Sequence, residues 1–567
     1  MSKTYSYPKP HKAKYDTELC DDKMTFQECE LAILRHAVDE SEKLQGQKVA
    51  TSEDVKKMIK IVEDFLIEKK LICYGGTAIN NILPKYAQFY DKELEVPDYD
   101  FYSDNALADA KELADKYYEA GYREVETKAG VHAGTFKVFV NFIPVADITF
   151  LHPELFEAIK RESITIAGIK YAPANYLRMS MYLELSRPAG DVSRWEKVLK
   201  RLTLLNKYYP MSTSIAKGAI KPCKKTRNKK WRAGSNEEED ESTSSEESTM
   251  SDSKSSESYR HHKQKPLGCN TTTVNCSTVD FQRKLTSNME ESEQLYFTTR
   301  DILIEQGVIF FGGYATSLYS RHMPQKQRRL VEKIPDFDVL AEDPERCSMI
   351  TRERLIENGF DDVDEIVHEE IGEIIPQHIE IRVGKNTVAF IYKPVACHNY
   401  NTINVGDKEI NVATIDTMLS FYLAFIYADK PYYHKDRILC MAKFLFDVEQ
   451  NNRLAQKGLL KRFSTKCYGK QKTLEDLRAE KTAKFKELAD KRGTEEYEMW
   501  FLKYSPTVKY GNEPIDQPKN KKTTVKQRLV MPDSKLPQPE LMDEPVKKKR
   551  NTKKNQKQKP KKSWFGI

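Results

Sequence analysis

Residues 73–81 read CYGGTAINN, and this stretch determines how the surrounding sequence is expected to fold. A helix-like apolar spacing precedes it, and a short apolar strand leads into Gly75 and Gly76. Glycines let a backbone turn sharply and approach a phosphate closely, and the helix that follows presents its N-terminal N–H groups to an anion. The stretch therefore predicts a nucleotide-binding turn, with Thr77 as a further hydroxyl contact. Taken alone, such a glycine pair is more often only a tight turn.

About twenty residues later the segment VPDYDFYS predicts a strand that carries Asp98 and Asp100 on one face. Two carboxylates about 7 Å apart along a strand can bind hard divalent cations. Asp147 lies in the apolar segment PVADITF, where an ionised side chain needs a partner. The three aspartates together predict a catalytic two-metal site. Singly, each has a structural interpretation, as a solvated edge, a cap or a buried hydrogen-bonded acid.

The second half of the chain repeats this pattern. The segment IFFGGYATSLYS carries Gly312 and Gly313 at an offset of 237 residues, and IPDFDVLA carries Asp336 and Asp338 at an offset of 238. The segment VAFIYK matches VADITF at an offset of 243. A duplicated domain is therefore predicted, each copy a small mixed sheet with helices packed on it.

The second copy differs from the first at the positions that matter for chemistry. Phe390 occupies the position of Asp147, and Tyr314 occupies that of Thr77. A phenyl ring cannot bind a metal ion, so this copy is predicted to be inactive, with a structural or RNA-binding role.

A predicted helix after the first sheet carries Arg194, Lys197 and Arg201. Arg194 and Lys197 are three residues apart and share a helix face, so they are candidates for neutralising a triphosphate. A solvated helix face with Trp195 packed in the core is the alternative. Arg437, the second-copy counterpart of Arg194, favours that structural interpretation.

Composition and charge limit the class of protein. The mean hydropathy is −0.67, no segment approaches the roughly 18 apolar residues of a membrane helix, and the first residues show no apolar secretory signal. The ten cysteines include no C-x-x-C pair, which predicts free thiols in a reducing, intracellular setting.

The net charge of +7 is unevenly distributed: residues 233–258 carry 9 acids and 1 Lys, and residues 517–567 carry 14 Lys and 2 Arg against 4 acids. Both segments have few apolar residues and are predicted to be disordered. The predicted organisation is an N-terminal helical segment (1–50), a catalytic domain (51–210), a basic then acidic linker (211–280), a degenerate domain (281–460), a helical C-terminal segment (461–516) and a basic tail (517–567).

The pattern YGGTAINN, PDYDFYS, VADITF and LSRPAGDVSRWEKVLKRL resembles the DNA polymerase beta type nucleotidyltransferase fold. In duplicated form it is similar to the poly(A) polymerase catalytic subunits of large cytoplasmic DNA viruses, giant viruses of the mimivirus group above all, to which the poxvirus enzymes are related. The likeness covers about residues 25–460. It implies an α/β (α+β) fold with tandem nucleotidyltransferase domains, the first catalytic and the second degenerate, with helical extensions and disordered segments.

The resemblance also implies a function. Asp98, Asp100 and Asp147 would bind two Mg²⁺ or Mn²⁺ ions and catalyse addition of AMP from ATP to an mRNA 3′-hydroxyl end, with release of pyrophosphate. Gly75 and Gly76 match the family's nucleotide-binding turn. The implied partners are RNA and a second copy of the chain, with a processivity subunit as the alternative, and no membrane. The implied location is the viral factory in the host cytoplasm, with packaging in the virion left open.

Two other functions remain open from the sequence. A terminal uridylyltransferase or tRNA-end transferase would use the same motifs, because these do not select the base. A non-catalytic RNA-binding scaffold would need neither the three aspartates nor the glycine turn.

Overall fold

The computed structural model describes residues 15, 17–50, 52–90, 97–211, 276, 279, 289–332, 336–372 and 374–507. They belong to one compact unit, Met1–Glu513, and the second unit, Pro514–Ile567, lies outside the described residues. The predicted linker, apart from Met211, Cys276 and Val279, and the predicted basic tail also lie outside them. In the described part of the chain, no helix has the length and apolar character needed to cross a membrane.

The helices lie in three regions: an N-terminal pair, the two repeated halves and a C-terminal extension. Their bounds are α1 (Phe26–Ala50), α2 (Glu53–Lys69), α3 (Gly75–Ile82), α4 (Ala106–Glu119), α5 (Pro153–Arg161), α6 (Ala174–Leu185), α7 (Trp195–Tyr208), α8 (Met289–Glu305), α9 (Gly312–Tyr319), α10 (Gln325–Val331), α11 (Pro344–Glu357), α12 (Ile415–Phe425), α13 (Lys435–Asn451), α14 (Leu474–Glu487) and α15 (Glu495–Phe501). Short 3-10 turns cover Lys85–Ala87, Val192–Arg194, Ser320–His322 and Gly458–Leu460.

The strands form two mixed sheets, one in each half. Their bounds are β1 (Ile72–Cys73), β2 (Tyr99–Ser103), β3 (Val125–Ala129), β4 (Thr135–Val140), β5 (Ile143–Phe150), β6 (Ile164–Ile166), β7 (Ile169–Tyr171), β8 (Ile309–Phe311), β9 (Phe337–Leu340), β10 (Val363–His368), β11 (His378–Val383), β12 (Asn386–Tyr392), β13 (His398–Val405), β14 (Lys408–Ala413), β15 (Cys467–Tyr468) and β16 (Lys503–Tyr504).

The two sheets have the same strand order. The first runs β16-β3-β4-β5-β2-β1-β7-β6 and the second runs β10-β11-β12-β9-β8-β14-β13-β15. The seven strands from β3 to β6 in the first order correspond one to one to the seven from β10 to β13 in the second, and β16 and β15 are additions at opposite edges. The parallel and antiparallel pairings also correspond: β1–β2 and β8–β9 are antiparallel, and β2–β5 and β9–β12 are parallel. The mixed α/β fold and the predicted duplication are confirmed.

Apolar periodicity explains the local structure around the first sheet. Helix α2 buries Val55, Met58, Val62, Phe65 and Leu66, a spacing of three and four residues that places them on one face. The helix therefore packs its apolar face on the sheet and leaves its charged face in water.

The sequence TFKVFVNFIPVADITFL (135–151) predicts two strands joined by a short turn that contains Pro144, and the hairpin between β4 and β5 differs from this prediction. The turn is formed by Asn141 and Phe142, which have φ angles of +50° and +66°, and Pro144 lies within β5. Two consecutive positive φ angles fit the right-handed twist of a tight hairpin, and asparagine tolerates that conformation well. The prediction that Pro144 belongs to the turn is therefore wrong.

A buried charged network joins the two halves. Arg462 donates two hydrogen bonds to Asp416 (2.6 and 2.8 Å), and its Nη1 lies 2.6 Å from Glu449 Oε1. The Tyr182 hydroxyl of the first half donates to Glu449 Oε2 at 2.6 Å. All four side chains are buried, so each charge has its partner inside the protein. Helices α6 and α12 pack against each other beside this network.

The C-terminal extension connects both sheets. We call residues 467–504 the C-terminal strap: it adds β15 beside β13 of the second sheet and β16 beside β3 of the first. Lys111 pairs with Glu498 of the strap (2.5 Å), and the hydroxyl of Tyr504 in β16 donates to Asp115 (2.5 Å). The predicted C-terminal segment is therefore partly helical, and it also contains two strands that the sequence analysis does not predict.

Three disulfide bonds correct the expectation of free thiols. They join Cys20 to Cys29, Cys276 to Cys440 and Cys397 to Cys467. Among the described residues, Cys73 and Cys347 are free thiols, and both are buried. Spacing along the chain gave no indication of these pairs, because two of them join residues 164 and 70 positions apart.

Candidate functional site

The glycine turn at the start of α3 depends on the absence of a side chain. Gly75 has a φ of +71°, and a Cβ at this position would lie 2.5 Å from Asp100 Oδ2. A Cβ on Gly76 would lie 2.5 Å from the Tyr90 hydroxyl and 2.9 Å from Arg201 Nη1. The two glycines thus allow the turn to lie directly against a carboxylate on one side and a guanidinium on the other.

Neighbouring strands hold the predicted aspartates beside this turn. Asp100 and Asp147 are directly opposite each other across the parallel β2–β5 pair, and Asp98 immediately precedes β2. The Tyr74 amide donates to Asp100 O (2.8 Å), and the Thr77 hydroxyl donates to Asp98 O (2.6 Å). Thr77 is buried, and here its hydroxyl positions the strand that carries the aspartates.

The three carboxylates repel one another inside a partly dry cleft. Burial, followed by the charges of Asp98 and Asp147, raises the pKa of Asp100 to about 7. Burial and the charge of Asp147 also raise the pKa of Asp98, while Lys137 acts in the opposite direction on both. A cluster of this kind favours a cation, which would offset the repulsion.

Lys137 forms an ion pair with Asp147 and lies opposite it on the neighbouring strand β4. The other carboxylate oxygen, Oδ1 of Asp147, is buried and has no hydrogen-bond partner among the described residues. A buried oxygen without a donor fits a cation ligand. No group of three or more His, Cys, Asp or Glu side chains in the described ranges is arranged to hold a metal ion as it stands. Joint binding by the three aspartates therefore requires their side chains to rearrange.

The predicted basic residues line the same cleft but differ in their surroundings. Arg194 ends a 3-10 turn before α7 instead of lying on the helix, and its Nε lies 3.1 Å from Glu184 Oε1. Lys197 is exposed on the first turn of α7. Trp195 packs between the two halves, with its ring 5.9 Å from that of Phe463.

Arg201 is the basic side chain held closest to the glycine turn. Its Nη2 donates to the Tyr90 hydroxyl (2.6 Å), and its guanidinium lies over the rings of Phe89 and Tyr90 at 5.0 and 5.5 Å. The Asn80 side chain accepts hydrogen bonds from the amides of both aromatic residues, which fixes the segment that holds Arg201.

The glycine turn, the three aspartates and the basic residues line one cleft of about 1230 Å³. The cleft contains every predicted site residue, namely Gly75, Gly76, Thr77, Asp98, Asp100, Asp147, Arg194 and Lys197. It is also lined by residues that the sequence analysis does not predict, among them Lys137 and the second-half residues Gly372 and Ile374. Lys137 follows the strand alternation that places Thr135 in the cleft, but its position opposite Asp147 depends on a register that the sequence does not reveal.

The equivalent place in the second half is closed. Phe390 lies opposite Asp338 in the β9–β12 pair, where the first half has Asp147 opposite Asp100. Phe390 is buried, and its ring packs near His378 and Tyr432 at 5.9 and 5.2 Å. Asp338 Oδ2 accepts from the Gly313 amide (3.4 Å), so this carboxylate lies against the second glycine turn.

The repeated mixed sheets and the glycine turn facing three aspartates define the class: a protein with the nucleotidyltransferase fold. The sequence model of the family "Poly(A) polymerase catalytic subunit" matches residues 60–191. The resemblance noted from the sequence is therefore confirmed over this region.

Relatives come from large DNA viruses. The chain is 35% identical over 171 residues to a putative poly(A) polymerase catalytic subunit of African swine fever virus (isolate Tick/Malawi/Lil 20-1/1983), which is 29% of this chain and 36% of that protein. It is 34% identical over 161 residues to a putative poly(A) polymerase catalytic subunit of Acanthamoeba polyphaga mimivirus, 27% of this chain and 26% of that protein. The matches thus span about a third or less of these relatives.

A solved structure extends the likeness in fold to nearly the whole chain. The crystal structure of the Megavirus polyadenylate synthase matches with a TM-score of 0.63 over 91% of this chain and 90% of that chain, at 16% sequence identity. At this identity the match concerns the fold, and it agrees with tandem nucleotidyltransferase domains.

Proposed function

We propose that the chain is a template-independent polynucleotide adenylyltransferase that transfers AMP from ATP to the 3′-hydroxyl of RNA and releases pyrophosphate. The observation that carries the proposal is the register of β2 and β5, which places Asp100 opposite Asp147 beside the glycine turn. Phe390 at the equivalent position of the second half confines the reaction to the first half.

Asp98, Asp100 and Asp147 would hold two divalent cations, Mg²⁺ or Mn²⁺. The partnerless Oδ1 of Asp147 and the raised pKa values of the other two carboxylates support this assignment. When bound, the ions supply activation of the attacking hydroxyl and stabilisation of the charge on the leaving pyrophosphate. Lys137 neutralises Asp147 in this structure, and it would be available to a phosphate oxygen if a bound cation neutralised that carboxylate instead.

The triphosphate of ATP would bind between the glycine turn and the basic residues of α7. The start of α3 lines the cleft, and Arg201 is held beside Gly76 by Tyr90. Lys197 and Arg194 add positive charge along the same wall. Fixed donors around the phosphates are the main protein contribution to phosphoryl transfer.

Adenine is proposed as the base because the relatives are named poly(A) polymerases. The aspartates and glycines would serve a uridylyl- or tRNA-end transferase equally well. A homodimer and a location in the cytoplasmic viral factory stay part of the proposal, and size-exclusion chromatography with light scattering tests the first of these.

Primer extension with single nucleotides tests the proposal. A labelled RNA ending in oligo(A) is incubated with ATP, UTP, CTP or GTP in separate reactions containing Mg²⁺ or Mn²⁺. Long products with ATP alone support the proposal. Long products with UTP would support the same transfer reaction but show that the enzyme is a uridylyltransferase. RNA binding without extension by any nucleotide would favour the scaffold alternative.

A further inference from the structure

The two sides of the cleft differ in chemistry. In the sheet order β4-β5-β2-β1, the glycine turn follows β1, so the basic wall with Arg201 lies on that side. The aspartates lie in the middle of this strand order: Asp147 on β5, Asp100 on β2 and Asp98 just before β2. On the β4–β5 side the cleft is lined by Val131 and Phe150, whose exposed fractions are 51% and 41%. Exposed apolar side chains inside a charged cleft indicate a ligand with an apolar surface.

The second half contributes to this apolar side. Ile374, in the connection between β10 and β11, lines the cleft of the first half. Nearby, Gly372 has a φ of +57°, and a Cβ there would lie 3.3 Å from Leu155 Cδ1 and 3.6 Å from His152 Cβ. A glycine at this position therefore permits the close approach that brings Ile374 into the wall.

The C-terminal strap fixes the loop that carries Val131. Lys481 Nζ donates to Gly130 O (2.8 Å), and the Ala129 amide donates to Leu502 O (3.0 Å). A Cβ on Gly134 would lie 3.2 Å from Phe150 Cβ, so the loop also packs on the end of β5. The wall is thus built from three chain segments and held by a fourth, as a preorganised binding surface requires.

We infer that this wall, formed by Val131, Phe150 and Ile374, is the subsite for the 3′-terminal base of the RNA acceptor. The inference rests on the proposed function: in an in-line displacement the attacking and leaving oxygens lie on opposite sides of the phosphorus. With the triphosphate on the basic side, the acceptor enters from the β4–β5 side. Aromatic and aliphatic side chains suit a stacked base of any identity, because every base has a π face.

Binding of two RNAs tests the subsite without requiring catalysis. Fluorescence anisotropy measures the Kd of an oligo(A) RNA and of the same RNA with an abasic 3′-terminal nucleotide. The wild-type chain is expected to bind the abasic RNA about tenfold more weakly, the loss of one stacked base. Phe150→Ala is expected to bind both RNAs equally, at the weaker affinity, and Ile374→Ala is expected to reduce the discrimination. Phe150→Trp is expected to restore it.

Phe142→Ala is the matched control, since Phe142 is an 83% exposed phenylalanine in the turn of the same hairpin. It is expected to discriminate between the RNAs like the wild type. Discrimination retained by both Phe150→Ala and Ile374→Ala, or absent from the wild type, would overturn the subsite. A wild-type chain that discriminates between the RNAs but adds no nucleotide would contradict the proposed function and leave the subsite standing.

Discussion

Asp100 lies directly opposite Asp147 across the parallel strands β2 and β5, and the glycine turn at Gly75 lies against Asp100. The second half preserves the strands, the turn and the opposing position but places Phe390 opposite Asp338. One fold thus occurs twice in the chain, once with an open carboxylate cluster and once with a phenyl ring in its place.

The two glycine turns offer a matched pair of substitutions. Gly75→Ala and Gly312→Ala each introduce a Cβ at a φ near +70°, which costs about 1–2 kcal/mol, and each collides with an aspartate. Both variants are expected to lower the melting temperature. Gly75→Ala alone is expected to lower adenylate transfer, by at least tenfold, because it displaces Asp100. Equal activity of the two variants would show that the first turn has no special role.

Arg201 is expected to set the affinity for ATP. Arg201→Ala removes the guanidinium beside Gly76 and should raise the KM for ATP by about tenfold or more, the value of one charge-assisted contact to phosphate. Lys200→Ala is the control, because Lys200 is exposed and pairs with Glu196 on the outer face of α7. Steady-state kinetics at varied ATP concentrations compares the two variants. An unchanged KM for ATP in Arg201→Ala would mean that other residues bind the triphosphate.

The buried network between the halves is expected to dominate stability. Arg462→Met leaves Asp416 and Glu449 buried without their cation, and such a loss typically costs about 3–5 kcal/mol. Lys461→Met, at the exposed neighbouring position, should change the free energy of unfolding by about 0.5 kcal/mol or less. Urea unfolding measures both. Similar midpoints for the two variants would mean that the network contributes little.

His398 predicts a dependence of stability on pH. Its ring is fully buried, and burial, followed by the charge of Arg187, lowers its pKa to about 3. The unfolded value is about 6.5, so the unfolded chain binds the proton more tightly. The contribution of the neutral ring to the free energy of unfolding is therefore fully present above about pH 6.5 and is lost progressively as the pH falls toward 3.

The matching experiment compares the wild-type chain with His398→Phe between pH 7 and pH 4. Below pH 6 the wild type should lose up to about 1.4 kcal/mol of unfolding free energy per pH unit relative to the variant. Parallel pH profiles for the wild type and His398→Phe would contradict the assignment.

The sequence predicts the site largely through local patterns. Three short patterns carry the prediction, and each spans fewer than ten residues. They are a strand followed by a glycine pair, an alternating pair of aspartates, and an apolar strand that contains a single acid. Their repetition at nearly constant offsets predicts the duplicated fold, which the matching strand orders confirm. The same repetition predicts that Phe390 replaces the third carboxylate in the second half, and the strand register places Phe390 opposite Asp338.

Other features depend on contacts between distant segments. Strand β16 has two residues, too few for an alternation, and its partner β3 lies more than 370 positions earlier in the chain. The ion pair of Lys137 with Asp147 depends on a hairpin turn at Asn141 and Phe142, and a turn at Pro144 predicts a different register. The two long-range disulfides depend on contacts within the second half and with the strap, and the contribution of Ile374 to the first cleft depends on the packing of the two halves.

The first half alone is predicted to carry out the transfer, through Asp98, Asp100 and Asp147. Primer extension with ATP and an oligo(A) RNA tests it most directly when the wild type is run beside Asp98→Ala, Asp147→Ala and Asp336→Ala. Long products from the wild type and from Asp336→Ala, with none from the two first-half variants, are the result we predict. Extension that survives Asp147→Ala, or that is lost only with Asp336→Ala, would contradict it.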